Sequence, residues 1–167
     1  MFDSIWSASH YQGLIKELIS ALKFDYIEEI AEGLARHFVR AIDKAGLADK
    51  LKGQIITPVP LHKKRYLERG FNQSELISAK IAELLGMKLA RGALLRIKNT
   101  RQQSKLNKSE RIENMREAFS ATLAPAPEFV FLFDDVFTTG QTTNEAAKAL
   151  KIAGVKQVHV LAIAQGR

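Results

Sequence analysis

The sequence predicts an α/β domain with a mainly parallel central sheet and helices on both faces, and three observations carry that prediction. Short apolar runs of strand length recur along the chain, separated by longer stretches with a helical stripe. The strongest run, Phe129 to Phe133, is continuously apolar, the pattern of a strand covered on both faces of a parallel sheet, where a surface strand would alternate. The resulting order, αα-β-α-β-loop-β-β-α-β, closes into such a sheet through right-handed crossovers.

Two helices come first. Tyr11, Leu14, Ile15, Leu18, Ile19 and Leu22 form one stripe ending in Lys23-Phe24, and Ile27, Ile30, Ala31, Leu34, Ala35, Phe38, Val39 and Ile42 form a second that runs toward Gly46. Both are expected to pack on the sheet, with Lys23 the residue that could do more than pack. Gln54 to Pro60 reads as a short buried strand entering a loop, because Pro58 and Pro60 cannot donate to a central ladder. His62, Lys63, Lys64, Arg65 and Arg69 follow as a basic loop. Ligands of open parallel sheets bind beyond the carboxyl ends of strands, so Lys63, Arg65 and Arg69 are candidate pyrophosphate-binding residues.

Asn72 caps the next helix, with Glu75 three residues on, a stripe of Leu76, Ile77, Ile81, Leu84 and Leu85, and Gly86 as its stop. Met87 to Ile97 holds one or two short strands, Ala93 to Ile97 the better. From Lys98 to Glu117 the chain is strongly polar and basic, with Lys98, Arg101 and Lys105 among its cations and Leu106, Ile112 and Met115 its few apolar points. Composition alone fits a solvated surface segment and a closing lid equally. Glu117 to Thr122 is a short strand, Ala124 to Pro127 a linker, and Lys156 to Ala164 the last parallel strand.

The stretch that carries chemistry begins at Phe129. Its apolar run ends in Asp134 and Asp135, a loop of Thr138, Thr139, Gly140, Gln141 and Thr142 follows, and a helix opens with Thr142 and Glu145 as a capping box and runs to Lys151 before Gly154. Backbone N–H groups at a helix N-terminus, approached through a glycine loop, suit a phosphate monoester. The carboxylates suit sugar hydroxyls, or Mg²⁺ held through water and substrate oxygens. Together they describe a site for a phosphorylated ribose. Neither a Walker P-loop nor a GxGxxG fingerprint occurs.

Length and composition set bounds. With 167 residues, 46% hydrophobic and 26% charged, the chain reads as one globular domain over residues 1–167. No apolar run approaches the roughly 20 residues a membrane helix needs, and the N-terminus lacks a signal-peptide plan, so a cytoplasmic location is expected. There is no cysteine, which excludes disulfides and thiolate zinc sites, and the four histidines show no metal-ligand spacing. A net charge of +7 favours an anionic partner.

FVFLFDDVFTTGQTT resembles the phosphoribosyl-pyrophosphate (PRPP) motif of type I phosphoribosyltransferases. A second segment, PVPLHKKRYLERGFNQSEL, and a third, LLRIKNTRQQSKLNKSERIENMREAF, resemble stretches of the ComF/GntX family, the competence-associated branch of those proteins. The resemblance runs from about Leu18 to the end and implies the type I phosphoribosyltransferase fold. It departs in one respect: many members carry an N-terminal cysteine-rich zinc ribbon, and this chain has no cysteine.

The resemblance implies that Asp134 and Asp135 hold the ribose hydroxyls, directly or through Mg²⁺, that Thr138 to Thr142 cradle the 5′-phosphate, and that Lys98, Arg101 and Lys105 belong to a lid over the pyrophosphate. An enzyme of this kind displaces pyrophosphate from C1 of PRPP through an oxocarbenium-like ribose. No general base for an acceptor stands out. The alternative is a non-catalytic component that senses PRPP or binds single-stranded DNA or DNA-uptake proteins; among aromatics only Tyr66 and Phe71 lie near a basic cluster. Nucleobase salvage, the third reading, requires a base-selecting hood, and no segment reads as one.

Overall fold

Five parallel strands in the order β1-β7-β6-β2-β3 form the core of the molecule in the computed structural model, which describes residues 1–25, 27–98 and 117–166. In chain order the elements are β1 Ser4–His10; α1 Gly13–Ser20, continued by a π-helical turn, Ala21–Asp25; α2 Ile30–Lys44; α3 Ala48–Leu51; β2 Ile55–Pro58; α4 Lys63–Arg69; α5 Gln73–Leu85; β3 Lys88–Leu89; β4 Leu94–Arg96; β5 Phe119–Ala121; β6 Phe129–Phe137; α6 Gln141–Ile152; and β7 Gln157–Gln165. Strands β4 and β5 pair antiparallel as a separate ribbon.

Alternation along β6 divides the core in two. Phe131 and Phe133 face one cluster, in which Ile19, Leu22, Leu34, Phe38, Ile77 and Ile81 bring α1, its π-turn, α2 and α5 onto the sheet. Val130 and Leu132 face the other, where Ala146, Ala147 and Leu150 of α6 and Leu94 and Phe119 of the ribbon cover the opposite face. A strand buried on both faces must be apolar throughout, which is why the Phe129–Phe133 run was legible. The layers are those of the predicted fold, a parallel sheet with helices on both faces.

Several boundaries differ from the sequence reading. A strand, β1, precedes the two helices; Ser4, Ser7, Ser9 and His10 hide it from a β-propensity reading, and its pairing with β7 makes it a strand. The basic stretch after β2 is a helix, α4, without any buried residue and hence without a stripe to announce it. Lys64 N–H donates to the His62 ring at its start and Gly70, at φ 86°, ends it. Strand β6 does not stop at the carboxylates: Asp134 pairs in register with Ala162 and Phe137 with Gln165, because ladder bonds use the backbone whatever the side chain.

Two capping boxes also change. Asn72 caps α5 by accepting from Ser74 N–H at 3.2 Å, but Glu75 turns to Arg91. Helix α6 starts at Gln141, one residue ahead of Thr142, and its cap is Gly140 at φ 73°. Glu145 instead accepts the Glu117 backbone N–H at 3.0 Å, tying β5 to α6.

Candidate ligand cleft at the carboxyl ends of the strands

Strands β2 and β6 both deliver their C-terminal ends to one side of the sheet. There a cleft of about 340 Å³ opens, lined from β2's exit by Val59 to Leu61, from β6 by Asp134, Asp135 and Val136, and from the next loop by Thr138 and Thr142. Tyr11, Lys23, Arg65, Gln73, Ser74 and Arg96 complete the wall. Thr138 to Thr143 also line a small hollow that shares Asp134 and Val136 with the cleft. The walls are largely polar, as a site for a charged sugar phosphate requires.

Each wall is held by its own fold logic. Asn72 is buried, and its side-chain amide donates to the Val59 carbonyl at 3.1 Å, so the cap of α5 also fixes the exit of β2. The next two residues of α5 serve the acidic pair: Gln73 Nε2 donates to Asp135 Oδ1 at 3.2 Å and Ser74 Oγ donates to Asp134 Oδ1 at 3.1 Å. Gly140 is required by backbone and packing together. Its φ is positive, and a Cβ there would meet the Phe137 ring at 3.0 Å. Thr143 Oγ1 closes the turn on the Gly140 carbonyl at 3.0 Å.

The two carboxylates are not equivalent. Asp135 is only 3% exposed and forms an ion pair with Lys23 from the π-turn. Its own burial acts upward, but the Lys23 charge and hydrogen bonds from Lys23 and Gln73 outweigh that and hold its carboxyl below the usual range. For Lys23 the burial acts downward and the Asp135 charge outweighs it, so the ammonium is stabilised. Asp134, half-buried at the cleft wall, is pushed up to about 7 by burial and then by the charge of Asp135. Near neutral pH one of the pair is a fixed anion and the other is close to taking a proton.

Of the sequence-predicted residues, the cleft brings together Asp134, Asp135, Thr138, Thr142 and Arg65. Thr139, Gly140 and Gln141 line the hollow beside it. Lys63 is exposed on α4 and lines neither. Arg69 donates to Gln73 Oε1 at 2.6 Å and lies against the Phe24 ring, 6.0 Å from its centroid. Lys98 lies near Glu117, at 3.9 Å, away from the cleft wall. Arg101 and Lys105 fall outside the described residues. The sequence reading missed Gln73, Ser74 and Arg96. The first two stand at the start of a helix whose N-cap it identified, and that position was the available signal; nothing marked Arg96 beyond its place at a strand end. Burial and then the nearby charge of Arg65 lower the Arg96 guanidinium, while Asp134 opposes them.

Among the described residues no group of three or more His, Asp or Glu gathers to hold a metal, and no helix is long and apolar enough to cross a membrane. No protein-family model matches the chain. It is 34% identical over 169 residues to competence protein F of Haemophilus influenzae, across 98% of this chain and 73% of that protein. The DNA utilization protein YhgH of Salmonella typhimurium is 34% identical over 155 residues, covering 92% of this chain and 68% of its own length. Competence protein ComFC of Streptococcus pneumoniae is 31% identical over 158 residues, 92% of this chain and 64% of its own length. Similarity at that level along nearly the whole chain, joined to a parallel α/β sheet with its polar cleft at the strand ends, places the chain in the ComF family of competence proteins.

Proposed function

We propose that the chain is a PRPP-binding, phosphoribosyltransferase-like protein that serves DNA uptake. The observation that carries the ligand is the convergence in one cleft of a cleft-facing carboxylate, Asp134, the hydroxyl loop Thr138–Thr142 ahead of α6, and the Arg65 guanidinium. A diol, a 5′-phosphate and a pyrophosphate call for those three kinds of group. The role in DNA uptake is supported by relatives named competence and DNA utilization proteins.

Magnesium fits as a companion of the ligand and not as a resident of the protein. Asp135 is engaged by Lys23 and Gln73, which leaves Asp134 as the carboxylate available to an ion that otherwise keeps waters and substrate oxygens. When bound, such an ion would neutralise charge on the pyrophosphate leaving group. The protein's own part is to orient the ribose at Asp134, hold the 5′-phosphate on the loop and α6 N-terminus, and set Arg65 and Arg96 near the departing charge. The cleft contains Asp134 as a group able to take a proton near neutral pH.

A second reading, single-stranded DNA binding, is favoured by α4. This helix carries Lys63, Lys64, Arg65 and Arg69, exposes Tyr66 and Leu67, and sets Arg69 against exposed Phe24. Of the two aromatics near the basic cluster in sequence, Phe71 is buried, while Phe24 comes from the distant π-turn. Basic groups beside exposed rings form a stacking surface.

Titration calorimetry with PRPP, with and without Mg²⁺, with pyrophosphate release assayed in the same incubation, tests the first reading. Magnesium-enhanced binding is expected, and absence of any heat would overturn it. The second expects affinity for single-stranded DNA that falls steeply with salt and drops on Phe24→Ala.

A further inference from the structure

Behind the cleft, four side chains from four elements form a continuous polar chain. Lys23 of the π-turn pairs with Asp135 Oδ2 of β6, Gln73 at the start of α5 donates from Nε2 to Asp135 Oδ1, and Arg69 at the end of α4 donates to Gln73 Oε1. The order is chemically enforced. A guanidinium can only donate, so Arg69 fixes the amide oxygen of Gln73 toward itself and the NH₂ group toward Asp135. Both Asp135 oxygens are then occupied by protein, and the residue is 3% exposed. Asp134 differs: both of its printed protein hydrogen bonds, from Ser74 Oγ and from the Asp135 backbone N–H, end on Oδ1.

We infer that Asp135 is a buried anchor and not a ligand-holding carboxylate, and that Lys23, Gln73 and Arg69 are positioning residues acting through it. The network joins the π-turn, α5 and α4 to the strand that bears Asp134. Arg69 accordingly grips Gln73 and not pyrophosphate, and the ligand's diol meets Asp134 alone. The assignment of the diol rests on the PRPP reading; the network itself does not.

A double-mutant cycle separates the two. Lys23→Met and Asp135→Asn each strand one polar partner in a buried place, and the double variant removes both charges at once. Without ligand, each single variant is expected to lose thermal midpoint and the double to recover most of the loss. Singles that fail to accumulate while the double folds support the inference equally. Losses that add, or a double variant that fails to fold, overturn it. With PRPP, the double variant is expected to bind within about threefold of wild type, whereas Asp134→Asn loses about tenfold or more. A double variant as weak as Asp134→Asn would put Asp135 on the ligand and overturn the inference. Arg69→Met is expected to leave inorganic pyrophosphate affinity within about threefold while Arg65→Met loses about tenfold, and equal losses would return Arg69 to the ligand. If the wild-type chain binds no PRPP, the PRPP reading fails and the thermal cycle alone decides the network.

Discussion

Asp134 and Asp135 have the same side chain and adjacent positions, and they meet opposite electrostatic fates. Lys23 lies beside Asp135, so Asp134 must ionise next to an existing anion in a partly dry wall. The sign of the consequence follows. Asp134's folded value of about 7 stands above its ordinary 3.8, so the stability linked to its protonated form is complete below 3.8 and is lost as pH rises through 7. In metal-free buffer, Asp134→Asn should therefore melt a few degrees above wild type at pH 8, with the gap closing toward pH 5. Circular-dichroism melts at the two pH values check it, and a gap that widens on acidification contradicts it. The acidic pair was legible because strand, carboxylates and hydroxyl-glycine loop are contiguous. Its inequality was not, since Lys23 approaches from a distant turn and Gln73 from a third element. Sequence suggested only that Lys23, closing an apolar stripe, does more than pack.

At the scale of elements, helices with a buried stripe and a cap were readable, and those without were not. Helix α5 has both; α4 has neither a buried residue nor a stripe, and its seven residues read as a basic loop. The start of α6 was misplaced because a hydroxyl was expected as cap, whereas Gly140 takes the cap through its positive φ and Glu145 is drawn to Glu117. Asn72 links two elements, capping α5 and holding the Val59 carbonyl at β2's exit. Asn72→Ala should cost about 1–3 kcal/mol, because it removes a cap and leaves a buried carbonyl without its donor. It should also weaken PRPP binding by displacing the Val59–Leu61 wall. Denaturant melts with a parallel calorimetric titration measure both, and an unchanged midpoint would show that the cap is dispensable.

For the whole molecule, the sheet order sets which parts depend on one another. Strand β7 is the sole listed partner of β1 and also pairs along the length of β6, so removing it strips the edge strand and exposes the central one. A chain ending at Ile152 should lose cooperative unfolding and most amide protection in β6; hydrogen exchange retaining native protection there would refute this dependence. Predicting a parallel sheet did not supply this order, because β1 announces itself by neither apolar content nor β-branching. The same pairing has a consequence in time. Ser4 meets His159 and His10 meets Gln165, so the strand synthesised first must wait for the strand synthesised last of those described. At ribosomal speeds the interval is about 10–30 s. Throughout it Trp6, which in the finished molecule stacks edge-on against Phe38 at 5.2 Å, has no sheet to belong to. The nascent N-terminus is thus the stretch most in need of a chaperone's cover, and slowing translation late in the message should raise the share of chains that aggregate before the sheet can close.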